Sequence, residues 1–521
     1  MIKTENKIYC IGMDAIKNYG INMWEKEFFM PFSIKSYEIF SIQFYNMYKE
    51  ILSSGLSDIT KDIVCIRVDL MRKYAHFLHS YMLTKYLASK GYKVIYSGGK
   101  PYSKFSREKI YNLLNDDFYT YFKRTSFHFI SKAYGLFGFR KCLNVGPPTD
   151  RLKSIYAKKK RLYLQFKPYN KLISLKDSIP TTLLTELRYV VSRFNDTRRR
   201  ILNYYGLYDK GIDEINTMLL EDLSLTTRLY LGTKERLKLL DYDHILATSL
   251  GNIVNRTIFK ILLTERKRIT GFNHGNTLGL IYDKIFLLSE LLLVTNYVVQ
   301  TGAIKSFFDN LVRINSDFPL PQKPITESVE DNYFPRMYHR EKKKSMPKKS
   351  KKVMVLQSSF NDIFTLYSTP LYYSIQLDLN LRIMKALKKY GYYVMIKLRV
   401  DRLEEIDGGK IFEGFADECV KGTFEKEYQK ADTIIFPHVL TTTFGFALAS
   451  NKKIIYFLYE KEKFIPEMLG LLNKRCIPIN CWSDDRNRII FNEDELIDAL
   501  EKDHTEINTE FIERQLFPQP Y

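Results

Sequence analysis

Apolar and polar positions follow two rhythms along this chain. Short apolar runs rich in β-branched residues recur, and between them lie longer stretches with apolar residues at helical spacing. That alternation predicts strands alternating with helices. The first run, residues 62–69 (DIVCIRVD), predicts a buried strand. Residues 74–90 predict a helix stopped by Gly91, and residues 93–99 a second strand, which together make a βαβ unit. Residues 103–240 are rich in Tyr, Lys and Leu at helical spacing and read as a mostly helical insertion. The rhythm then sharpens. Strands are predicted at 242–249, 268–275 and 297–302, with helices at 252–267 and 282–296.

A break follows at residues 317–352. It contains five prolines and the lysine-rich run EKKKSMPKKSKK, and so reads as a linker or surface loop. The βαβ pattern then restarts. Strands are predicted at 353–359, 392–400, 432–437 and 453–459. Helices are predicted at 375–390, 424–430, 444–450 and, acidic in character, 492–501. One correspondence links the two parts. Residues 243–275 and 432–457 each run strand, hydroxyl-bearing turn, helix, strand. The expected class is α/β, with two Rossmann-like domains facing a cleft. The first spans 1–316 and carries the insertion at about 103–240, the linker spans 317–352, and the second spans 353–521. In such sheets ligands bind where strand C-terminal ends meet the next helix.

Composition narrows the function classes. A length of 521 residues exceeds what one core supports, and 45% hydrophobic with 27% charged residues is ordinary globular usage, which excludes a disordered or disulfide-scaffold class. Six scattered cysteines form no CxxC, so neither a zinc site nor a disulfide framework is expected, and a cytoplasmic setting fits. The first eighteen residues hold no uninterrupted apolar stretch, so no secretory signal is expected. The most apolar run, 285–299, is broken by Glu290 and Asn296 and is shorter than the ~20 residues a bilayer requires. The net charge of +21 points to an anionic partner, with part of the lysine excess attributable to compositional drift. Residues 321–352 alone hold ten Lys and Arg against four Asp and Glu, so some of the excess is local to the linker.

Four constellations could carry chemistry. His438 and the turn Thr441, Thr442, Thr443, Gly445 follow a predicted strand and open a helix, an arrangement suited to phosphate; plain N-capping is the alternative. Lys397 and Arg399 alternate on one strand face near its C-terminal end, suited to phosphate or to solvation. His274 ends a predicted strand, with Gly275 and Gly279 allowing close backbone approach; it is a general base or a structural histidine. Asp69 ends the first predicted strand, as a base or, the reading slightly preferred, a helix cap with local ion pairs. GxGxxG after a strand, GxxxxGK[ST], HExxH and GxSxG are absent. That argues against dinucleotide dehydrogenases, P-loop NTPases, zincins and α/β-hydrolases. No helix-turn-helix or RNP-type signature appears, and no nucleic-acid partner is expected.

The FNHGNTLG strand end, the MIKLR strand and FPHVLTTTFGFALASNKKIIYF together resemble bacterial GT-B glycosyltransferases that build capsule, lipopolysaccharide and related glycans. That group includes CMP-sugar-using Kdo and sialic acid transferases and teichoic-acid-type glycerophosphotransferases. The resemblance covers residues 240–460 best. It implies a donor site in the second half, with Lys397, Arg399, His438, Thr441–Thr443 and Gly445 around the phosphates. In the first half it implies an acceptor site with His274 or Asp69 as base. It implies a nucleotide-activated sugar as substrate, no cofactor and no metal. It also implies a lipid-linked or oligosaccharide acceptor and peripheral attachment at an anionic inner membrane. A CDP-polyol phosphotransferase of teichoic-acid type and a non-enzymatic polyanion- or nucleic-acid-binding protein are the alternatives. The chain departs from the pattern at Arg399-Val400, where many relatives carry His-Pro, and at Phe444–Ala447, where the usual acidic residue is missing.

Overall fold

The computed structural model describes residues 7–11, 13–21, 24, 28–30, 33–95, 140–145, 150–167, 169–204, 213–238, 242–247, 250–273, 278–284, 286–344, 351–357, 373–399, 409–459, 461–503 and 507–518. Two parallel sheets dominate. The runs that predicted strands in both halves form them because their apolar residues suit a sheet buried on both faces.

A small parallel pair comes first, β1 (Ile8–Cys10) beside β2 (Lys93–Ile95). The first large sheet contains β3 (Arg140–Val145), β4 (Leu162–Phe166), β5 (His244–Ala247), β6 (Arg268–Phe272), β7 (Asn296–Val299) and β8 (Ile325–Ser328). Its order is β4-β3-β5-β6-β7-β8, and all pairs are parallel. The second contains β9 (Lys352–Leu356), β10 (Tyr393–Lys397), β11 (Glu418–Val420), β12 (Thr433–Phe436), β13 (Lys453–Leu458), β14 (Ile477–Ser483) and β15 (Ile489–Phe491). Its order is β11-β10-β9-β12-β13-β14-β15, antiparallel only at the last pair. Counting from β9, that is the 3-2-1-4-5-6 order of the doubly wound nucleotide-binding fold. Two Rossmann-like sheets in one chain give the GT-B-like layout.

Three expectations change. Residues 62–69 are not a strand: Asp58–Ile66 is a helix, capped by Ser57, whose hydroxyl accepts from the Thr60 amide at 3.3 Å. A short apolar run buried on all sides fits either state, and here the cap decides. β1 therefore takes the place of that run as the parallel partner of β2. Within 103–240, the helices Thr181–Tyr204 and Asp213–Leu237 are present, but β3 and β4 lie there too and form one flank of the first sheet. The Pro- and Lys-rich stretch carries β8 and the helix Tyr333–Glu341, so it extends the first sheet as well as connecting the halves. The apolar run near 290 contains a π-helical turn, Leu287–Leu291, buried throughout.

Buried arginines tie helix ends to neighbouring turns. Arg256 donates to the carbonyls of Ile66 (2.8 Å), Cys65 (2.7 Å), Leu250 (3.0 Å) and Leu288 (3.3 Å). Arg475 donates to Leu448 (3.0 Å), Ser450 (2.8 Å) and Lys452 (3.3 Å), gathering the carbonyls that end the helix Thr442–Leu448. Each such carbonyl, buried without a donor, costs about 1–3 kcal/mol.

The halves share a core. Leu278, Leu280, Ile281, Phe334 and Met337 pack with Phe436, Phe444, Phe464 and Ile512 of the second half. The Ile465 amide donates to the Leu280 carbonyl at 2.8 Å, and Ile281 bridges Phe464. The last described helix, Glu510–Leu516, returns to the first half, where Thr301 Oγ1 donates to the Gln515 carbonyl at 2.8 Å. Among the described residues no helix is long and apolar enough to cross a membrane.

Replacing Arg475 by methionine keeps the bulk and removes the donors. Arg475→Met is expected to lower stability by roughly 2–4 kcal/mol, read as the urea midpoint; an unchanged midpoint would refute the capping role.

Candidate functional site

Each sheet has a point where the connections change direction. In the first sheet it lies between β3 and β5, in the second between β9 and β12. Loops diverge there, which opens a crevice beyond the strand C-terminal ends. A cavity of about 230 Å³ lies at both crevices at once. Asp150 and Arg151, which open the helix after β3, form one wall, and Thr442 and Phe446, from the helix after β12, form the opposite wall. Asn273 and Gln300 follow β6 and β7, Tyr333 and Phe334 come from the helix that crosses between the halves, and Glu425 completes the lining.

The walls are held by local chemistry. Asp150 caps its helix, accepting from the Lys153 amide at 3.0 Å. Arg151 reaches across to Asp331 at 2.6 Å and lays its guanidinium 3.9 Å from the Tyr333 ring centre. Cation–π stacking and an ion pair thus fix one side chain in two directions. Asp331 in turn accepts from the Tyr333 amide at 3.0 Å, and its own amide donates to the Gln300 carbonyl at 3.0 Å. Burial pushes the Tyr333 phenol above its ordinary pKa, so it is protonated near neutrality.

The sequence-predicted residues divide between this cavity and other places. Thr441 caps the helix, accepting from the Phe444 amide at 3.3 Å, and its hydroxyl lies 2.6 Å from that of Thr443. Thr442, exposed, is the member of the turn that lines the cavity. Gly445 is a point of close approach: a Cβ there would stand 3.3 Å from both Leu278 and Phe334 of the first half. Gly279 has φ +70°, and a Cβ there would meet Gln515 Oε1 at 3.1 Å, so it serves the junction with the last helix.

His438 precedes the turn. It keeps some accessible surface, but desolvation lowers its pKa to about 3, so its ring is neutral near pH 7 and adds no positive charge for a phosphate. Lys397 and Arg399 belong to β10 and its exit. With β9 between them and β12, they stand roughly 10 Å from the hydroxyl turn at ~4.8 Å per strand. Lys397 is buried and donates to the Leu398 carbonyl, whereas Arg399 is partly exposed and its amide donates to Gln357 Oε1 at 3.1 Å.

Asp69 lies in a separate, buried network. Arg67 grips it through Nε at 2.9 Å and Nη2 at 3.1 Å, and also binds Asp222 at 3.2 Å and Thr226 at 3.1 Å. His274 and Gly275 lie outside the described residues, immediately after Asn273 in the chain. Among the described residues no three His, Cys, Asp or Glu side chains cluster closely enough to hold a metal.

The sequence reading missed Asp150, Arg151, Gln300, Tyr333 and Glu425. The first two had a signal: Gly146-Pro147-Pro148-Thr149-Asp150 after an apolar run is strand-exit and helix-cap punctuation. Tyr333 fell in the stretch read as linker. Gln300 and Glu425 have no local signal, because only the fold brings them to the cavity.

No protein-family description matches the chain, and no curated protein matches it. Among solved structures it is similar to a UDP-N-acetylglucosamine 2-epimerase from Rickettsia bellii, at 11% identity and a TM-score of 0.36, over 73% of this chain and 93% of that one. An S. aureus MnaA structure with UDP aligns at 10% identity and TM-score 0.34, over 69% and 87% of the two chains. A UDP-GlcNAc 2-epimerase from Neisseria meningitidis bound to UDP-GlcNAc aligns at 11% and 0.32, over 69% and 90%. Superpositions this loose carry nothing about this chain's reaction.

The His438 environment makes a pH prediction. Its folded pKa of about 3 lies below the unfolded value of ~6.5, so the unfolded chain binds the extra proton between those limits. Stability is therefore lost as pH falls from 6.5 toward 3. His438→Asn is expected to lose less on acidification, seen as a thermal midpoint that overtakes wild type between pH 6.5 and 4. A midpoint difference constant with pH would contradict the neutral, desolvated ring.

Proposed function

We propose that this chain transfers a sugar from a nucleotide-activated donor to an acceptor hydroxyl of a surface glycan. The observation that carries the reading is the cavity bounded by the switch points of both Rossmann-like sheets, where a donor held by one half meets an acceptor held by the other. Its lining suits a sugar ring. Two aromatic faces, Tyr333 and Phe446, stand beside the side-chain amides of Asn273 and Gln300, the Thr442 hydroxyl and the carboxylates of Asp150 and Glu425. Around 230 Å³ is less than the ~300–1,000 Å³ of pockets for whole drug-sized ligands, so the cavity matches one part of a nucleotide sugar.

Charge supports the same division. Among the described residues Arg151 is the one cation of the lining and is already paired with Asp331, while Asp150 and Glu425 are acidic. The phosphates are better served on the β10 side of the second sheet, by Arg399 and, once its bond to the Leu398 carbonyl is released, Lys397. In the proposed step the acceptor oxygen bonds to the anomeric carbon as the bond to the phosphate oxygen breaks. His274, next in chain to Asn273, takes the acceptor proton. The cations and the Thr442 hydroxyl stabilise the charge that grows on the leaving phosphate. The proposal uses no metal. Asp69, held by Arg67, has a structural part. The chain's surplus positive charge suits an anionic, lipid-linked acceptor at a membrane face.

Nucleotide release from UDP-, CMP- and CDP-linked donors, with and without a glycan lipid acceptor, tests the reading. Arg399→Ala is expected to cut turnover by about 100-fold. Wild-type protein inert toward every donor would sink the transferase reading; full turnover by Arg399→Ala would sink only the phosphate assignment.

A further inference from the structure

The apolar run near residue 290 is interrupted by one carboxylate, and the structure buries it completely: Glu290 is 0% exposed. It sits on the π-helical turn Leu287–Leu291, a distortion that often re-aims a side chain at a functional site. A carboxylate with no access to water needs hydrogen-bond donors. One of them is Tyr297, whose Oη lies 2.6 Å from Glu290 Oε2. Tyr297 Oη also accepts from Asn273 Nδ2 at 3.2 Å, and Asn273 Oδ1 accepts from Gln300 Nε2 at 3.0 Å. Asn273 and Gln300 both line the cavity.

We propose that Glu290, Tyr297, Asn273 and Gln300 form a one-way hydrogen-bond relay that presents the Gln300 side-chain carbonyl to the cavity as an acceptor, so that the site selects a sugar donating a hydroxyl or N–H there. The direction is that of the three bonds: Gln300 Nε2 donates to Asn273 Oδ1, Asn273 Nδ2 donates to Tyr297 Oη, and the phenol donates to Glu290 Oε2. The phenol's one proton is then committed, and it can only accept from its other neighbour. That forces the NH₂ end of Asn273 toward Tyr297 and its carbonyl toward Gln300. Gln300 must meet that carbonyl with its own NH₂, which leaves Oε1 at the open end. Among the described residues, Gln300 Oε1 accepts no hydrogen bond. A free glutamine amide could turn over and offer either end, but this one is locked by three successive bonds. Glu290 and Tyr297 are positioning residues, and Gln300 is the specificity-determining residue. The proposal rests on the sugar-nucleotide reading for its ligand but not for the relay itself.

Two measurements separate the relay from that reading. The first needs no ligand: side-chain amide signals of Asn273 and Gln300 in ¹⁵N-labelled full-length protein, assigned through Asn273→Ala and Gln300→Leu. Hydrogen exchange of both amides is expected to be slow in wild type and at least ~10-fold faster in Tyr297→Phe. Equal exchange in the two proteins overturns the relay. The second is calorimetric binding of UDP-N-acetylglucosamine, CMP-N-acetylneuraminate and CDP-glycerol, each beside its free nucleotide. Tyr297→Phe and Glu290→Leu are expected to weaken the activated compound by ~10-fold or more and the bare nucleotide by less than ~2-fold. Glu290→Gln, whose carbonyl can still accept, restores most of the loss. Adding Tyr297→Phe to Gln300→Leu costs nothing further, as members of one chain should behave. Equal losses for compound and nucleotide, or additive losses in the double variant, overturn the specificity role. If wild type binds none of the probes, the sugar-nucleotide reading and the specificity role built on it both fall, and exchange alone decides whether the relay exists. Should the Glu290 variants fail to fold, Gln300→Leu at the cavity wall carries the binding comparison.

Discussion

Residues 278–281 leave the end of the first sheet and enter the apolar core of the second half. Leu278 meets the helix after β12 at Gly445, where any larger residue would have to displace it. Leu280 lends its carbonyl to the Ile465 amide, and Ile281 bridges Phe464. The cavity depends on this insertion, because its two walls belong to different sheets and nothing within either sheet would hold them at a fixed separation. Phe334, from the crossing helix, fills the remaining space beside Gly445. Apolar packing of this kind is dense and hardly compressible. Leu278 and Phe334, which take no part in polar chemistry, belong to the packing that holds the Arg151 and Thr442 walls in place.

A second theme is the confinement of charge. Arg67, Arg256 and Arg475 are each almost wholly buried, and each spends its guanidinium on carboxylates or backbone carbonyls of the fold. They are invisible to a partner. Among the described residues the cavity lining is acidic on balance. Positive charge exposed to solvent acts at long range and is weakened by salt. The described lining consists mainly of neutral hydrogen-bonding groups and aromatic or aliphatic side chains.

Much of the second half was legible from sequence. The Ile-rich runs at β12 and β13 are buried at every position, and continuous apolar runs between turn signals are what a central parallel strand requires. The hydroxyl turn was placed at the end of β12 for the same reason. The first half was harder. β3 begins Arg140-Lys141, with both residues exposed, and β4 alternates apolar and polar residues, so neither has the density that marked the other strands. β8 is an edge strand, Ile-Thr-Glu-Ser, in a stretch whose prolines and lysines masked it. The helix Asp58–Ile66 carried an apolar run too short to show its period. Of the cavity, Thr442 was anticipated, whereas Gln300 and Glu425 are ordinary polar residues until strand order brings them together.

The bond from Thr301 to the Gln515 carbonyl joins residues more than two hundred positions apart, and the helix Glu510–Leu516 completes the packing around residues 278–281. A ribosome makes the chain from the other end. At ~5–20 residues per second, the first half emerges many seconds before the helix that closes it. Throughout that interval Leu278, Leu280 and Phe334 have no second-half core to enter, and a nascent chain displaying such side chains is a natural client for a chaperone. The same helix that finishes the cleft therefore also sets how long the unfinished protein must be kept from its neighbours.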